Sequence, residues 1–159
     1  NKRMVFLRKI LSFGANRREM VQIWKTYCRS VLKQSAVLWQ GALTQENRET
    51  LERTQKTFAK LLLKNNYKSY EQSLQTLDLP TLDARRNQLA LQFAKKCIQN
   101  RKMAHLFPLK GKKHDYLLRN NQKYKIQFAN TERLRKSPIL FMQRLLNEED
   151  NQKPVFPPN

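Results

Sequence analysis

The sequence has few of the residues that build tight turns and disulfide frameworks. Its 159 residues include 3 glycines, 6 prolines and 2 cysteines. So little glycine argues against a β-sandwich or barrel with many turns, and against a glycine-rich phosphate loop. Two cysteines cannot form a framework of several disulfides. Cys28 and Cys97 both lie in apolar helical patterns, which predicts buried free thiols and a reducing compartment.

Clustered metal ligands are also missing. The four aspartates are scattered along the chain, whereas divalent-metal catalysis of phosphoryl transfer needs carboxylates in groups. Cys97, His105 and His114 lack a fourth ligand and any C-x-x-C motif, which disfavours a structural zinc site. We therefore expect no catalytic residue, metal or cofactor in this chain. No apolar run approaches the roughly 18 residues of a membrane-spanning helix, so we expect no membrane partner.

Acidic residues are scarce, and their scarcity is uneven. Lys and Arg number 32 against 12 for Asp and Glu, which gives a net charge of +20. Residues 85–147 hold 16 basic and 2 acidic residues, whereas residues 148–159 are net acidic. The basic stretch cannot neutralise itself through internal ion pairs, so it predicts a polyanionic partner, RNA and/or DNA. A solvated basic surface kept for solubility is the alternative.

Hydrophobic periodicity predicts an all-α fold. We expect an irregular bundle of about five to six helices over residues 1–147, with a basic loop and a mobile C-terminal tail over residues 148–159. Helix starts are indicated by Asn16 with Glu19, by Thr44, Ser69 and Thr81, and by Ser137-Pro138. The predicted helices cover residues 4–12, 16–39, 44–63, 69–77, 81–100 and 137–147.

The apolar side of the first predicted helix consists of Val5, Phe6, Ile10 and Leu11.

Two of the later helices carry cations beside their apolar faces. In the second helix, the inward arc includes Tyr27, Val31 and Leu38. A basic stripe flanks that arc and consists of Arg18, Lys25, Arg29 and Lys33. On the helix over residues 81–100, the outer face has glutamines and no carboxylate of its own, and its cations are Arg85, Lys95 and Lys96. Such faces suit phosphate and sugar contacts.

The region that follows, residues 101–130, forms the basic loop. Its predicted phosphate-binding residues are Arg101, Lys102, Lys110, Lys112, Lys113, Arg119, Lys123 and Lys125. Alternating Tyr124, Ile126 and Phe128 indicate a short extended segment near residues 123–128. Because aromatic side chains among cations can stack on unpaired bases, Tyr116 and Tyr124 are candidates for base stacking.

Several motifs in order resemble a known family. They are Tyr27, Val31-Leu32 and Trp39, then LERTQKTFAKLLL over residues 51–63, then LDLPTLDARR over residues 77–86, and finally residues 137–147. The set resembles the region after the catalytic core of reverse transcriptases from non-LTR retrotransposons of the jockey-like type. The resemblance covers about residues 1–147. Ser35-Ala36 stands where many relatives have Tyr-Gly, and the aromatic-x-Asp-Asp polymerase motif is absent.

The resemblance implies the thumb and C-terminal extension of an RNA-directed DNA polymerase. Palm and fingers would lie N-terminal to Asn1 and would hold the divalent metals. The chain would then grip template–primer duplex or structured RNA without polymerase activity of its own, inside the nucleus at the site of integration. The alternative is a helical protein-interaction module, docking through Val5, Phe6 and Ile10, or a non-functional remnant of the element.

Overall fold

A computed structural model of the chain describes residues 2–111 and 122–151. Helices dominate these residues, which confirms the all-α prediction. The first part contains α1 (Lys2–Ser12), α2 (Arg17–Ile23), a π-helical segment (Trp24–Cys28), α3 (Arg29–Leu32), α4 (Ala36–Trp39) and a 3₁₀ turn (Gln40–Ala42). Then come α5 (Gln45–Leu63), a 3₁₀ turn (Lys64–Asn66), α6 (Tyr70–Leu77), α7 (Leu82–Gln99), a 3₁₀ turn (Ala104–Leu106), α8 (Glu132–Arg135) and α9 (Pro138–Asn151). No helix within the described ranges combines the length and apolar character needed to cross a bilayer.

The helices begin where the capping residues predict. At α2 the Glu19 amide donates to Asn16 Oδ1 at 3.0 Å, and the Asn16 amide donates to Glu19 Oε2 at 2.8 Å. This reciprocal pair satisfies two amides that a helix start leaves without partners. The side chains of Thr44, Ser69 and Thr81 cap α5, α6 and α7 in the same position. Side-chain chemistry therefore sets these helix boundaries locally.

The predicted single helix over residues 16–39 is wrong, because the structure divides it. A π-helical segment spans Trp24–Cys28, and Ser35 adopts a left-handed conformation with φ of 51°. A π turn holds more residues than an α turn, so it rotates the side chains that follow out of the phase of a 3.6-residue wheel. As a result Tyr27, Val31 and Leu38 are exposed instead of facing the core.

The apolar side of α1 is also displaced from its prediction. Met4 and Leu7 are its buried residues, and Ile10 is half-buried. Val5 and Phe6, which were predicted to face inward, are 50% and 44% exposed. The helix therefore shows apolar side chains on two sides, and only one of them is covered.

The described residues form two compact units. Unit 1 holds the chain up to Ala36 together with Leu43–Arg86, and unit 2 holds Val37–Ala42 together with the residues from Asn87 onward. The predicted region over residues 1–147 is thus divided between two units. Helix α9 continues to Asn151, beyond the predicted start of the tail at residue 148. The rest of that tail, residues 152–159, lies outside the described residues.

Unit 1 is built around an aromatic pair. Trp24 stacks on Phe58 with ring centroids 4.5 Å apart, and Met20, Leu74 and Leu77 are buried in the same cluster. Beside this core, the Glu52 carboxylate accepts the Leu82 amide at 3.1 Å and also accepts the Tyr70 hydroxyl.

Buried Gln55 extends this polar network. It donates to the Pro80 carbonyl at 2.9 Å and to the Tyr70 hydroxyl at 3.2 Å. Glu52 and Gln55 belong to the LERTQ segment, whereas Pro80 and Leu82 belong to the LDLPTLDARR segment. Two of the motifs that carry the resemblance therefore contact one another.

Unit 2 has a core of small side chains on α7 packed against larger ones. Ala90, Ala94 and Cys97 share a cluster with Phe107, Tyr124, Met142 and Leu146. Asn147 fixes the backbone of Tyr124, because it accepts the Tyr124 amide at 2.9 Å and donates to the Tyr124 carbonyl at 3.0 Å. The predicted extended segment is present over its first residues, where Leu109 and Tyr124 form an isolated antiparallel bridge.

A close approach brings residues 37–42 into unit 2. A Cβ atom added to Gly41 would lie 2.7 Å from Phe141 Cβ and 3.0 Å from the Lys136 carbonyl oxygen. Real Cβ atoms do not come so near a neighbouring side-chain carbon, so glycine is what allows α9 to pack against the 3₁₀ turn here.

Candidate nucleic-acid interface

The basic stripe of the second predicted helix lies in unit 1. Arg18 is exposed, whereas Lys25, Arg29 and Lys33 are half-buried. Arg18 and Lys25 line an open groove of about 380 Å³ together with Arg17, and its lining also includes residues 76–78, among them the acidic Asp78. The sequence analysis missed Arg17. Its position directly beside Arg18 at the start of α2 was the signal for it.

The positive charge of Arg85 acts on Arg29, although 56 positions separate the two residues in the sequence. Burial lowers the pKa of the Arg29 guanidinium, and the nearby positive charge of Arg85 lowers it further. The Arg29 Nε atom is buried and has no hydrogen-bond partner among the described residues. A residue of the stripe and a residue of the α7 face thus interact electrostatically within unit 1.

Arg86, the neighbour of Arg85, has a different role. It is 1% exposed, and its Nη2 lies 3.6 Å from Asp83 Oδ1. Burial lowers the pKa of Arg86, while the carboxylates of Asp83 and Glu52 oppose that shift. The arginine pair of the LDLPTLDARR segment therefore splits into a buried, charge-compensated residue and a half-buried one.

Lys95 does not stand in a carboxylate-free environment. Its ammonium group lies 2.6 Å from Glu149 Oε1 on α9. The prediction counted only residues of its own helix, and the partner comes from 54 positions later, in the segment predicted to be mobile. Lys96, the next residue, is exposed. Both lysines belong to unit 2, whereas Arg85 belongs to unit 1.

The described cations of the basic loop all lie at the surface of unit 2. They are Arg101, Lys102, Lys110, Lys123 and Lys125. Two backbone hydrogen bonds of 2.9 Å, from Lys110 to Lys123 and from Lys125 to Pro108, hold three of them in an antiparallel arrangement. The other predicted residues of the loop, Lys112, Lys113, Tyr116 and Arg119, lie outside the described residues.

The structure corrects the prediction that Tyr124 stacks on bases. Tyr124 is 9% exposed and packs in the core of unit 2. The Lys123 ammonium lies over its ring, 5.8 Å from the centroid. Asn147 draws this backbone against α9, and no feature of residues 116–128 indicates such a distant contact.

Exposed aromatic side chains lie in both units, and two of those in unit 1 contact each other. Tyr27 is 43% exposed, and its ring centroid is 5.2 Å from that of Phe6. The Arg3 guanidinium lies over the Tyr27 ring at 4.5 Å, and it also donates to the Tyr27 carbonyl. We call these three residues the aromatic platform. The sequence analysis placed Tyr27 in the inward arc of its helix, assigned Phe6 to the apolar side of the first helix or to a protein-docking face, and did not single out Arg3.

Both cysteines are buried. Cys28 and Cys97 are free thiols, and burial raises the pKa of each; for Cys28, the charge of Arg3 opposes this shift. A raised pKa keeps a thiol protonated and poorly nucleophilic at neutral pH. Within residues 2–111 and 122–151, no three His, Cys, Asp or Glu side chains are grouped so that they could hold a metal ion. His114 lies outside those ranges.

Each unit therefore carries cations of its own, and unit 1 also has the aromatic platform. Comparison with known proteins adds no relative: no protein-family model, curated protein or solved structure matches the chain.

Proposed function

We propose that the chain binds RNA or DNA through backbone phosphates, with little reading of base sequence. The observation that carries this proposal is the groove in unit 1 that Arg17, Arg18 and Lys25 line together, with Asp78 as the acidic residue of its lining. Three cations beside one open groove favour a polyanionic partner, because its phosphates can accept charge-assisted hydrogen bonds. Arg29, on the same predicted stripe, is a further candidate for a phosphate contact.

The charge of the segment that contains the stripe supports the same proposal. Residues 2–36 carry nine lysines and arginines and a single carboxylate, Glu19. A surface so poor in acid attracts polyanions over a distance and releases counterions when one binds. Backbone phosphates supply that partner in every sequence, so we expect similar affinity for unrelated sequences.

The resemblance to jockey-like reverse transcriptases leads to a more specific proposal. The chain would be a thumb-like C-terminal part that grips template–primer duplex or structured RNA, with the palm and fingers of the parent polymerase as its protein partner. It would have no polymerase activity alone, and divalent metal would bind only in the catalytic region. The nucleus would be its place of action. The hydrogen bonds from Gln55 to Pro80 and from the Leu82 amide to Glu52 support this proposal, because they join the two most specific motifs into one structural feature.

Salt dependence of binding tests the proposal. We expect the affinity for an RNA–DNA hybrid duplex, measured by fluorescence anisotropy, to fall steeply as salt rises. The plot of log affinity against log salt should have a slope steeper than about −2, since several phosphates are engaged. A shallower slope would rule out the proposed mode of binding.

Substitution of Arg29 tests whether this residue contacts phosphate. Arg29→Gln should weaken binding several-fold and make the salt slope less negative by about 1, whereas Arg29→Lys should keep most of the slope. Arg135→Gln is the matched control, because it removes the same charge from a side chain already 2.6 Å from Glu132. Equal losses in Arg29→Gln and Arg135→Gln would mean that only net charge matters, and that Arg29 makes no phosphate contact.

A protein-interaction module is the second candidate function, and the exposure of Val5 and Phe6 favours it. Sedimentation velocity with and without RNA separates the two. A chain that self-associates and retains no nucleic acid would support the second candidate.

A further inference from the structure

We propose that the aromatic platform of Arg3, Phe6 and Tyr27 binds an unpaired nucleobase by stacking. The inference rests on the proposed function and makes it more specific. The chain would distinguish a duplex that carries a single-stranded overhang from a blunt duplex.

The first support is the arrangement of three π-systems in one small area. Tyr27 and Phe6 are each more than two-fifths exposed, and their rings meet at 57° with centroids 5.2 Å apart. The guanidinium plane of Arg3 lies over the Tyr27 ring and is held by its hydrogen bond to the Tyr27 carbonyl. Aromatic rings and arginine planes are the side chains on which proteins stack unpaired bases.

The second support is the backbone that presents Tyr27. The π-helical segment Trp24–Cys28 keeps Trp24 and Cys28 buried while Tyr27 is exposed. A π turn costs stability relative to a regular α turn, and such turns occur frequently at functional sites. Here its result is an aromatic side chain held at the surface by two buried neighbours.

The third support is charge, which decides between occupants. The segment 2–36 that provides the platform has nine cations and one carboxylate. Helix α1 alone carries Lys2, Arg3, Arg8 and Lys9 and no acid. A nucleotide carries a negatively charged phosphate in addition to its base, so its charge complements this basic surface, whereas an apolar peptide supplies no such charge. A protein partner is therefore an outcome that the experiment must be able to detect.

The experiment replaces the aromatic rings of Phe6 and Tyr27 with aliphatic side chains and leaves the charge of the protein unchanged. The double variant F6L/Y27L keeps apolar side chains and every cation. We expect wild-type protein to bind a hybrid duplex with a five-nucleotide overhang about tenfold more tightly than the blunt duplex, and F6L/Y27L to lose that difference. The salt slope should stay unchanged, since no phosphate contact is removed. A 2-aminopurine base in the overhang should lose fluorescence on binding to wild type and much less on binding to F6L/Y27L.

Folding is checked first by helical circular dichroism and thermal melting. If the double variant is unfolded, the single variant F6L is used, because Phe6 lies on the exposed side of α1. The single variant should lose part of the overhang preference at an unchanged salt slope.

Three results would overturn the inference. Equal binding of blunt and overhang duplexes by wild type would reject the platform and leave the proposed function intact. No binding of either duplex would reject both. Self-association of wild type that F6A/Y27A abolishes and F6L/Y27L retains would identify an apolar protein interface instead.

Discussion

The two units carry their positive charge in different ways. In unit 2, the described ion pairs lie at the surface: Lys95 with Glu149, and both Arg135 and Lys136 with Glu132. In unit 1, the ion pairs involve Asp83, which holds Arg48 and the buried Arg86 at the start of α7. Also in unit 1, burial and the positive charge of Arg85 lower the pKa of the half-buried Arg29. The two units nevertheless have the same net charge, +10 each.

The units also differ in how their cores are held. Unit 1 depends on a large aromatic pair with a polar network beside it, whereas unit 2 depends on small side chains and on amide groups of α9 that bind distant backbone. Gln143 donates to the Leu106 carbonyl at 2.8 Å, just as Asn147 binds Tyr124. The comparison predicts that unit 1 fails through lost packing and unit 2 through lost hydrogen bonds.

The largest effect is expected from Trp24→Ala in unit 1. Trp24 is fully buried against Phe58, so its truncation should lower the free energy of unfolding by about 3–5 kcal/mol. Urea denaturation measures the loss, and residue-resolved hydrogen exchange shows whether it is confined to unit 1. Phe13→Ala is the control, because Phe13 is 87% exposed and should change stability by less than about 0.5 kcal/mol. Similar losses in both variants would contradict a packing-based unit 1.

A smaller effect is expected from Asn147→Ala in unit 2. The change leaves the amide and carbonyl of buried Tyr124 without partners, which should cost about 2–3 kcal/mol. Hydrogen exchange should rise around residues 122–125 and α9, and stay unchanged around Trp24. Asn130→Ala, at an exposed position of the same unit, serves as control. Faster exchange throughout unit 1 would show that the two units do not open separately.

The smallest effect concerns charge at α9. Glu149→Gln removes the carboxylate 2.6 Å from Lys95, so Lys95 becomes available to phosphate and duplex affinity should rise about two- to threefold. Stability should change by less than about 1 kcal/mol, because both side chains are partly exposed. Glu148→Gln adds the same charge at an exposed position and should raise affinity less. Equal gains in the two variants would mean that Lys95 takes no part in binding.

Local signals in the sequence predicted much of this fold. Asn16 with Glu19, and Thr44, Ser69 and Thr81, mark helix starts through hydrogen bonds that span three residues, and such bonds are readable from the sequence alone. The all-α class follows from periodicity within each helix.

The wrong predictions concern residues in or after a non-α helical turn, and residues whose partners are distant in the sequence. A 3.6-residue wheel cannot represent the π-helical segment, so Tyr27 and Val31 were assigned to the core. The backbone of the buried Tyr124 is hydrogen-bonded to Asn147, 23 positions away. Lys95 forms an ion pair with Glu149, 54 positions away. Arg29 and Arg85 were each named as candidate phosphate contacts, but their electrostatic interaction depends on how the helices of unit 1 pack. Which residues come together could thus not be predicted from the sequence.

The order in which the chain enters the two units has a consequence for its synthesis. Val37–Ala42 belong to unit 2, where Gly41 packs against Phe141 of α9. A ribosome adding about 5–20 residues per second reaches the end of α9 about 5–20 s after it has passed Ala42. During that interval unit 1 can fold around a six-residue segment whose own partners do not yet exist. Any continuous piece of the chain that contains all of one unit therefore also contains part of the other.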